Sequence, residues 1–107
     1  MGPEENRPVE RADLARIVRA LRKEMPRLKR SYAVDSLRVF GSYARGENEP
    51  GSDLDILVAF DEVPGLLKFV ELEQDLSDML GVKVDLVIES ALKPRIGKRV
   101  LREAVPV

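Results

Sequence analysis

The chain has 107 residues, 44% hydrophobic and 35% charged, with a formal net charge of -1 and neither cysteine nor histidine. That length suits one hydrophobic core and leaves no room for a catalytic domain plus a separate substrate-binding domain. The composition excludes disulfide scaffolds, catalysis by thiolate or imidazole, and zinc or iron–sulfur sites built on Cys or His, so any carboxylate-held metal is a hard cation such as Mg²⁺, Mn²⁺ or Ca²⁺.

After a polar leader, Val9, Leu14, Ile17, Val18 and Leu21 recur at helical spacing with Arg11, Arg16, Arg19 and Arg22 between them. This pattern predicts an amphipathic helix over about residues 9–25. Pro26 has no N–H to donate and is expected to end or kink it, with a short second helix around Leu28. Asp35-Ser36 leads into a short strand, Leu37-Arg38-Val39-Phe40, closing at Gly41. The stretch from Ser42 to Ser52, SYARGENEPGS, reads as a short helical turn and then a loop.

A second strand is expected from Asp53 to Phe60, with Leu54, Ile56, Val58 and Phe60 on one face and Asp53 and Asp55 on the other. Asp61 to Gly65 turns into a second long helix over 65–80, whose apolar face comprises Leu66, Phe69, Val70, Leu76, Met79 and Leu80. Gly81 stands where a C-terminal cap belongs. Val82, Val84, Leu86 and Ile88 then alternate with Lys83, Asp85 and Glu89 as a third strand, and a basic helix follows over about 96–104.

This order predicts an α/β domain. The helical crossover makes the second and third strands parallel, while the first pair is free to be antiparallel. The expectation is a small mixed sheet of three strands or slightly more, with helices packed on one face. One domain is expected over 1–107: a helical part at 1–34, a strand-turn-strand-helix-strand core at 36–89, and a basic C-terminal helix at 91–107. No apolar run approaches the length of a bilayer span and MGPEENRPVE lacks the layout of a secretory signal, so the expected location is cytoplasmic.

The near-neutral total hides a basic–acidic–basic pattern. Residues 1–34 carry nine Lys or Arg against five acids, residues 46–90 two against twelve, and residues 91–107 five against one. Solvated helix faces account for such a pattern; so does an acidic metal-binding centre flanked by arginines that meet a triphosphate or an acidic partner.

Three acids share the expected polar face of the sheet: Asp53, Asp55 and Asp85. Positions i and i+2 of a strand point the same way about 6.5 Å apart, and a third carboxylate from a neighbouring strand would complete a cluster able to hold two Mg²⁺ ions about 3.5–4 Å apart. Each residue taken singly is equally at home as an ordinary exposed strand position. Gly41-Ser42 upstream changes the balance, because a Gly-Ser at a strand end presents backbone N–H groups and a hydroxyl to an anion, and glycine lets a phosphate come close.

The stretch VFGSYARGENEPGSDLDILV resembles the signature of the nucleotidyltransferases with a DNA polymerase beta-like fold: Gly-Ser, ten residues, Asp-x-Asp, then a third Asp on a later strand. Gly41-Ser42, residues 43–52, Asp53-Leu54-Asp55 and Asp85 in Val84-Asp85-Leu86-Val87 match it without insertion. The short chain points to the minimal nucleotidyltransferase branch, which lacks the extra substrate domain of larger relatives.

The resemblance implies that Gly41 and Ser42 bind the triphosphate of ATP, that Asp53 and Asp55 ligate Mg²⁺ (two ions, with Mn²⁺ as a substitute), and that Asp85 shares a metal and helps deprotonate the acceptor. Arg45-Gly46 fits the family's Ala-Arg-Gly continuation, which leaves Arg45 either on a phosphate or paired with Asp53 or a loop carboxylate.

Minimal nucleotidyltransferases of this kind are commonly paired with a helical HEPN toxin. The implied activity is therefore a protein adenylyltransferase antitoxin that transfers AMP to a tyrosine of a HEPN ribonuclease. The alternatives are an antitoxin that acts by occlusion without catalysis, or nucleotidyl transfer to a small molecule. Direct nucleic-acid binding is not expected, because the basic residues are not interleaved with the five aromatics. Neither is membrane association, while homo- and hetero-oligomers are both open.

Overall fold

A computed structural model describes residues 10–107, with side chains from Asp13 onward. Val9, expected at the start of the first helix, and the Arg11 side chain lie outside the described residues. Helix α1 runs Glu10–Tyr32, strand β1 Val34–Phe40, the short helix α2 Ser42–Arg45, and strand β2 Leu54–Phe60. Helix α3 (Leu66–Leu80) and strand β3 (Val84–Ile88) follow, then a 3₁₀ turn at Glu89–Ala91, helix α4 (Pro94–Glu103) and strand β4 (Val105–Pro106).

The sheet order is β3-β2-β1-β4; β1 is antiparallel to both β2 and β4, and β2 is parallel to β3. The mixed sheet is thus as expected, with one strand more. Strand β4, too short to carry a period, is held by pairing Val105 with Val39 and Pro106 with Arg38, and by Val107 N–H donating to the Leu37 carbonyl at 3.1 Å.

Alternation sorts the strands onto two faces. Leu37 and Val39, Leu54, Ile56 and Val58, and Val84 and Leu86 meet Ile17, Leu21 and Leu28 of α1 and Leu72, Leu76 and Leu80 of α3 in one core. Burying a side chain of this size stabilises by about 1.5–3 kcal/mol, so this face decides which side chains of β1, β2 and β3 point inward. The opposite face carries Arg38, Phe40, Asp55, Leu57, Asp85 and Val87.

Two expectations are corrected. Helix α1 does not stop at Pro26 but continues to Tyr32. Pro26 is exposed, and the lost hydrogen bond is outweighed by what the next turn gains: Leu28 is fully buried, and Arg27 donates to both Asp75 oxygens of α3 at 2.8 and 3.0 Å. The buried face of α3 is Leu72, Leu76 and Leu80, flanked by Phe69 and Met79, whereas Leu66 and Val70 are 78% and 49% exposed. Leu57, on the carboxylate face, is only 1% exposed because it lies between Arg38 and Val87 of the neighbouring strands.

Among the described residues no helix is long and apolar enough to cross a membrane.

Candidate active site

The site forms at the end of the sheet where β1 leaves and β2 and β3 enter. Parallel pairing sets Asp55 directly against Asp85, and antiparallel pairing sets Phe40 on the other side of Asp55. Neighbouring strands lie about 4.8 Å apart, so the Asp55 and Asp85 side chains rise side by side from one face. Asp53 precedes β2 by one residue and is exposed, as is Asp85, while Asp55 is half-buried.

Gly41 joins β1 to α2 with φ 73° and ψ -151°, a conformation open in practice to glycine alone. It also stands against the Asp55 carboxylate, since a Cβ at position 41 would collide with Asp55 Oδ2 and lie 3.0 Å from its Cγ. Two independent constraints therefore require glycine here. Ser42 follows at the start of α2, partly exposed, on the same end of the sheet.

The loop from Gly46 to Ser52 returns the chain to β2. Asn48, 6% exposed, ties it to α1 by donating to Asp13 Oδ2 at 3.2 Å, and Glu49 N–H donates to Ser52 Oγ at 2.9 Å. Such anchoring fixes the spacing between Gly41-Ser42 and Asp53-Asp55.

Burial first, then the like charges of Asp85 and Asp53, push the Asp55 carboxyl above its ordinary range, with Arg45 opposing them. Arg45 itself donates from Nε to Glu47 at 2.9 Å and from Nη1 to both Glu103 oxygens at 3.3 Å. Of the two partnerships open to it in the sequence, the structure shows the carboxylate one, with Glu47 of the loop and with Glu103.

Glu103 was not legible as a site residue. It lies 62 positions beyond Gly41, to whose N–H its Oε2 is bonded at 3.2 Å. The one available signal was that it is the single acid among the five Lys and Arg of residues 91–107.

The donor set is all carboxylate oxygen, and this fits a hard divalent cation. Among the described residues no three acidic side chains are already drawn together around one point. Unscreened carboxylates repel, which accounts for that spread. A concavity of about 560 Å³, lined by Tyr32, Glu71, Gln74, Asp75, Asp78 and Met79, lies between α1 and α3 and contains none of the site residues named above.

A mixed sheet that carries paired strand aspartates beside a Gly-Ser turn is the arrangement that the nucleotidyltransferase resemblance implies. The family model for the nucleotidyltransferase domain matches residues 18–107, and the chain belongs to that family.

Within it, the chain is 50% identical to the protein adenylyltransferase MntA of Thermococcus cleftensis over 95 residues, covering 89% of this chain and 93% of that protein. A solved chain proposed to be a minimal nucleotidyltransferase superposes with a TM-score of 0.74 at 46% identity, over 89% of this chain and 96% of its own. A chain from a toxin–antitoxin crystal structure with AMP-PNP gives a TM-score of 0.64 at 26% identity, over 87% of this chain and 70% of its own. The protein is thus an enzyme of the minimal nucleotidyltransferase type, similar to a protein adenylyltransferase and to a chain of a toxin–antitoxin complex.

Proposed function

We propose that this enzyme is a Mg²⁺-dependent protein adenylyltransferase that transfers AMP from ATP to a tyrosine hydroxyl of a HEPN-domain toxin, and so acts as its antitoxin. The observation that carries this reading is the register that sets Asp55 against Asp85 with Gly41 pressed against the Asp55 carboxylate. Adenylyl transfer to protein is supported by the name of the Thermococcus relative, and a toxin partner and an adenine nucleotide by the toxin–antitoxin structure with AMP-PNP.

In this reaction the tyrosine oxygen attacks the α-phosphorus of ATP, the bond from that phosphorus to the bridging oxygen of the β-phosphate breaks, and pyrophosphate leaves with the electron pair. Asp53, Asp55 and Asp85 would hold Mg²⁺, which when bound neutralises phosphate charge and makes the acceptor hydroxyl more acidic. Gly41 and Ser42 offer backbone N–H groups and a hydroxyl to the triphosphate, and Arg45 brings a guanidinium to the same edge. Asp85 is exposed at the mouth of the site, where its carboxylate accepts the proton of an arriving hydroxyl. Such chemistry is mostly positioning and electrostatics, and needs neither histidine nor cysteine.

The test is incubation with α-labelled ATP, Mg²⁺ and the HEPN partner. Label is expected on a partner tyrosine with the wild type and on none with Asp53→Ala or Asp55→Ala. An unlabelled partner that a variant carrying both Asp53→Ala and Asp55→Ala still inhibits would replace catalysis with occlusion.

A further inference from the structure

We propose that Glu103 sets the nucleotide affinity of this site by standing in for a phosphate. Its carboxylate occupies the place between the Gly41 N–H and the Arg45 guanidinium that the triphosphate takes when it binds. The inference rests on the transferase reading above and concerns a residue that reading does not use.

The geometry is that of a built anion site with an internal occupant. Glu103 Oε2 accepts from Gly41 N–H at 3.2 Å, and both carboxylate oxygens accept from Arg45 Nη1 at 3.3 Å. A backbone N–H at a glycine and a guanidinium are the donors a phosphate oxygen requires, and a carboxylate is the side chain that most resembles one.

The placement of Glu103 has no other evident advantage. It is the last residue of α4, where a negative charge opposes the helix dipole. Its charge is also felt unfavourably at Asp55. A carboxylate held in such a position is stabilised chiefly by the two donors it engages.

Release is also cheap. Helix α4 buries no side chain, and the Glu103 side chain is already 33% exposed. When the carboxylate swings away, Arg45 keeps its bond to Glu47 and turns its Nη1 to the incoming phosphate. Glu103 is therefore a positioning residue: it keeps Gly41 and Arg45 aligned while the site is free of nucleotide, and taxes nucleotide binding by the strength of its own hold.

Glu103→Gln retains shape and an acceptor for Gly41 N–H but loses the charge that competes for Arg45. Binding of α,β-methylene ATP with Mg²⁺, measured by calorimetry, should tighten roughly three- to tenfold, with KM for ATP lowered and kcat little changed. Equal or weaker binding by this variant would overturn the proposal, assigning Glu103 to structure or to ligand contact. A wild type that binds no nucleotide would instead overturn the transferase reading. A crystal structure of the wild type with the same analogue needs no variant: a phosphate oxygen on Gly41 N–H with Glu103 displaced is expected, and Glu103 still bonded to Gly41 would refute the exchange.

Discussion

Asp55 and Asp85 occupy paired positions of the parallel β2–β3 ladder, two carboxylates of like charge side by side on one face of the sheet. The side chain of Asp55 is further confined by Gly41, which has no Cβ to spare. An ordinary sheet would separate such a pair or set a cation between them.

The strain in that pair should be measurable as stability. Burial, Asp85 and Asp53 raise the Asp55 carboxyl above its ordinary 3.8, so the folded protein holds this proton more tightly than the unfolded chain. Ionised Asp55 therefore subtracts stability, fully above its folded pKa and not at all below 3.8. Asp55→Asn should stabilise the metal-free protein by about 0.2–1 kcal/mol at neutral pH, an advantage that vanishes as the pH falls through the carboxylate range. Thermal unfolding in EDTA from acid to neutral pH checks this; an Asn variant less stable than wild type at neutral pH would contradict it.

Gly41→Ala should cost about 1–3 kcal/mol, because φ 73° with ψ -151° is strained for any residue with a Cβ. The added methyl group must also displace the Asp55 carboxylate. Nucleotidyl transfer should therefore fall by more than the loss of folded protein accounts for. Denaturant unfolding and label transfer, measured on the same preparation, separate the two effects.

A second carboxylate behaves in the opposite sense. Asp75 accepts from Arg27 and from the Tyr32 hydroxyl at 2.8 Å, and the Arg27 bond, against partial burial, holds its carboxyl below 3.8. Its contribution is full above 3.8 and is lost as the pH falls through the lowered folded value. Burial and the hydrogen bond it donates to Asp75 push Tyr32 from 10 to about 12, so its share holds below pH 10 and disappears as the pH rises toward 12. Asp75→Ala should cost about 1–2 kcal/mol, discounted for the exposure of Arg27, and should flatten both limbs of the stability–pH curve.

Pro26→Ala should stabilise by about 1–3 kcal/mol. The position is exposed within a helix already continuous around it, so the change restores an N–H and uncovers no core. A stability equal to or below that of the wild type would mean that α1 depends on a bend there.

The hydrophobic alternation of Leu54, Ile56 and Val58 and of Val84 and Leu86 determined two strands and put Asp55 and Asp85 on the other face, since a period of two leaves a carboxylate nowhere else to go. The Gly41-Ser42 to Asp53-Asp55 spacing carried the resemblance to the nucleotidyltransferases, and the absence of His and Cys limited a carboxylate-held metal to a hard cation. These are local properties, written in neighbouring residues.

Tertiary structure decided what depends on distant partners. Helix α1 crosses Pro26 because Leu28 finds the core and Arg27 finds Asp75, 48 positions away. Which apolar row of α3 is buried depended on how the crossover lays that helix on the sheet. The direct pairing of Asp55 with Asp85 is a matter of register, which alternation limits but does not select. The bond from Gly41 N–H to Glu103 was decided by packing alone, because the return of the chain through α4 to β4 brings a lone acid onto a backbone donor with no local relation to it.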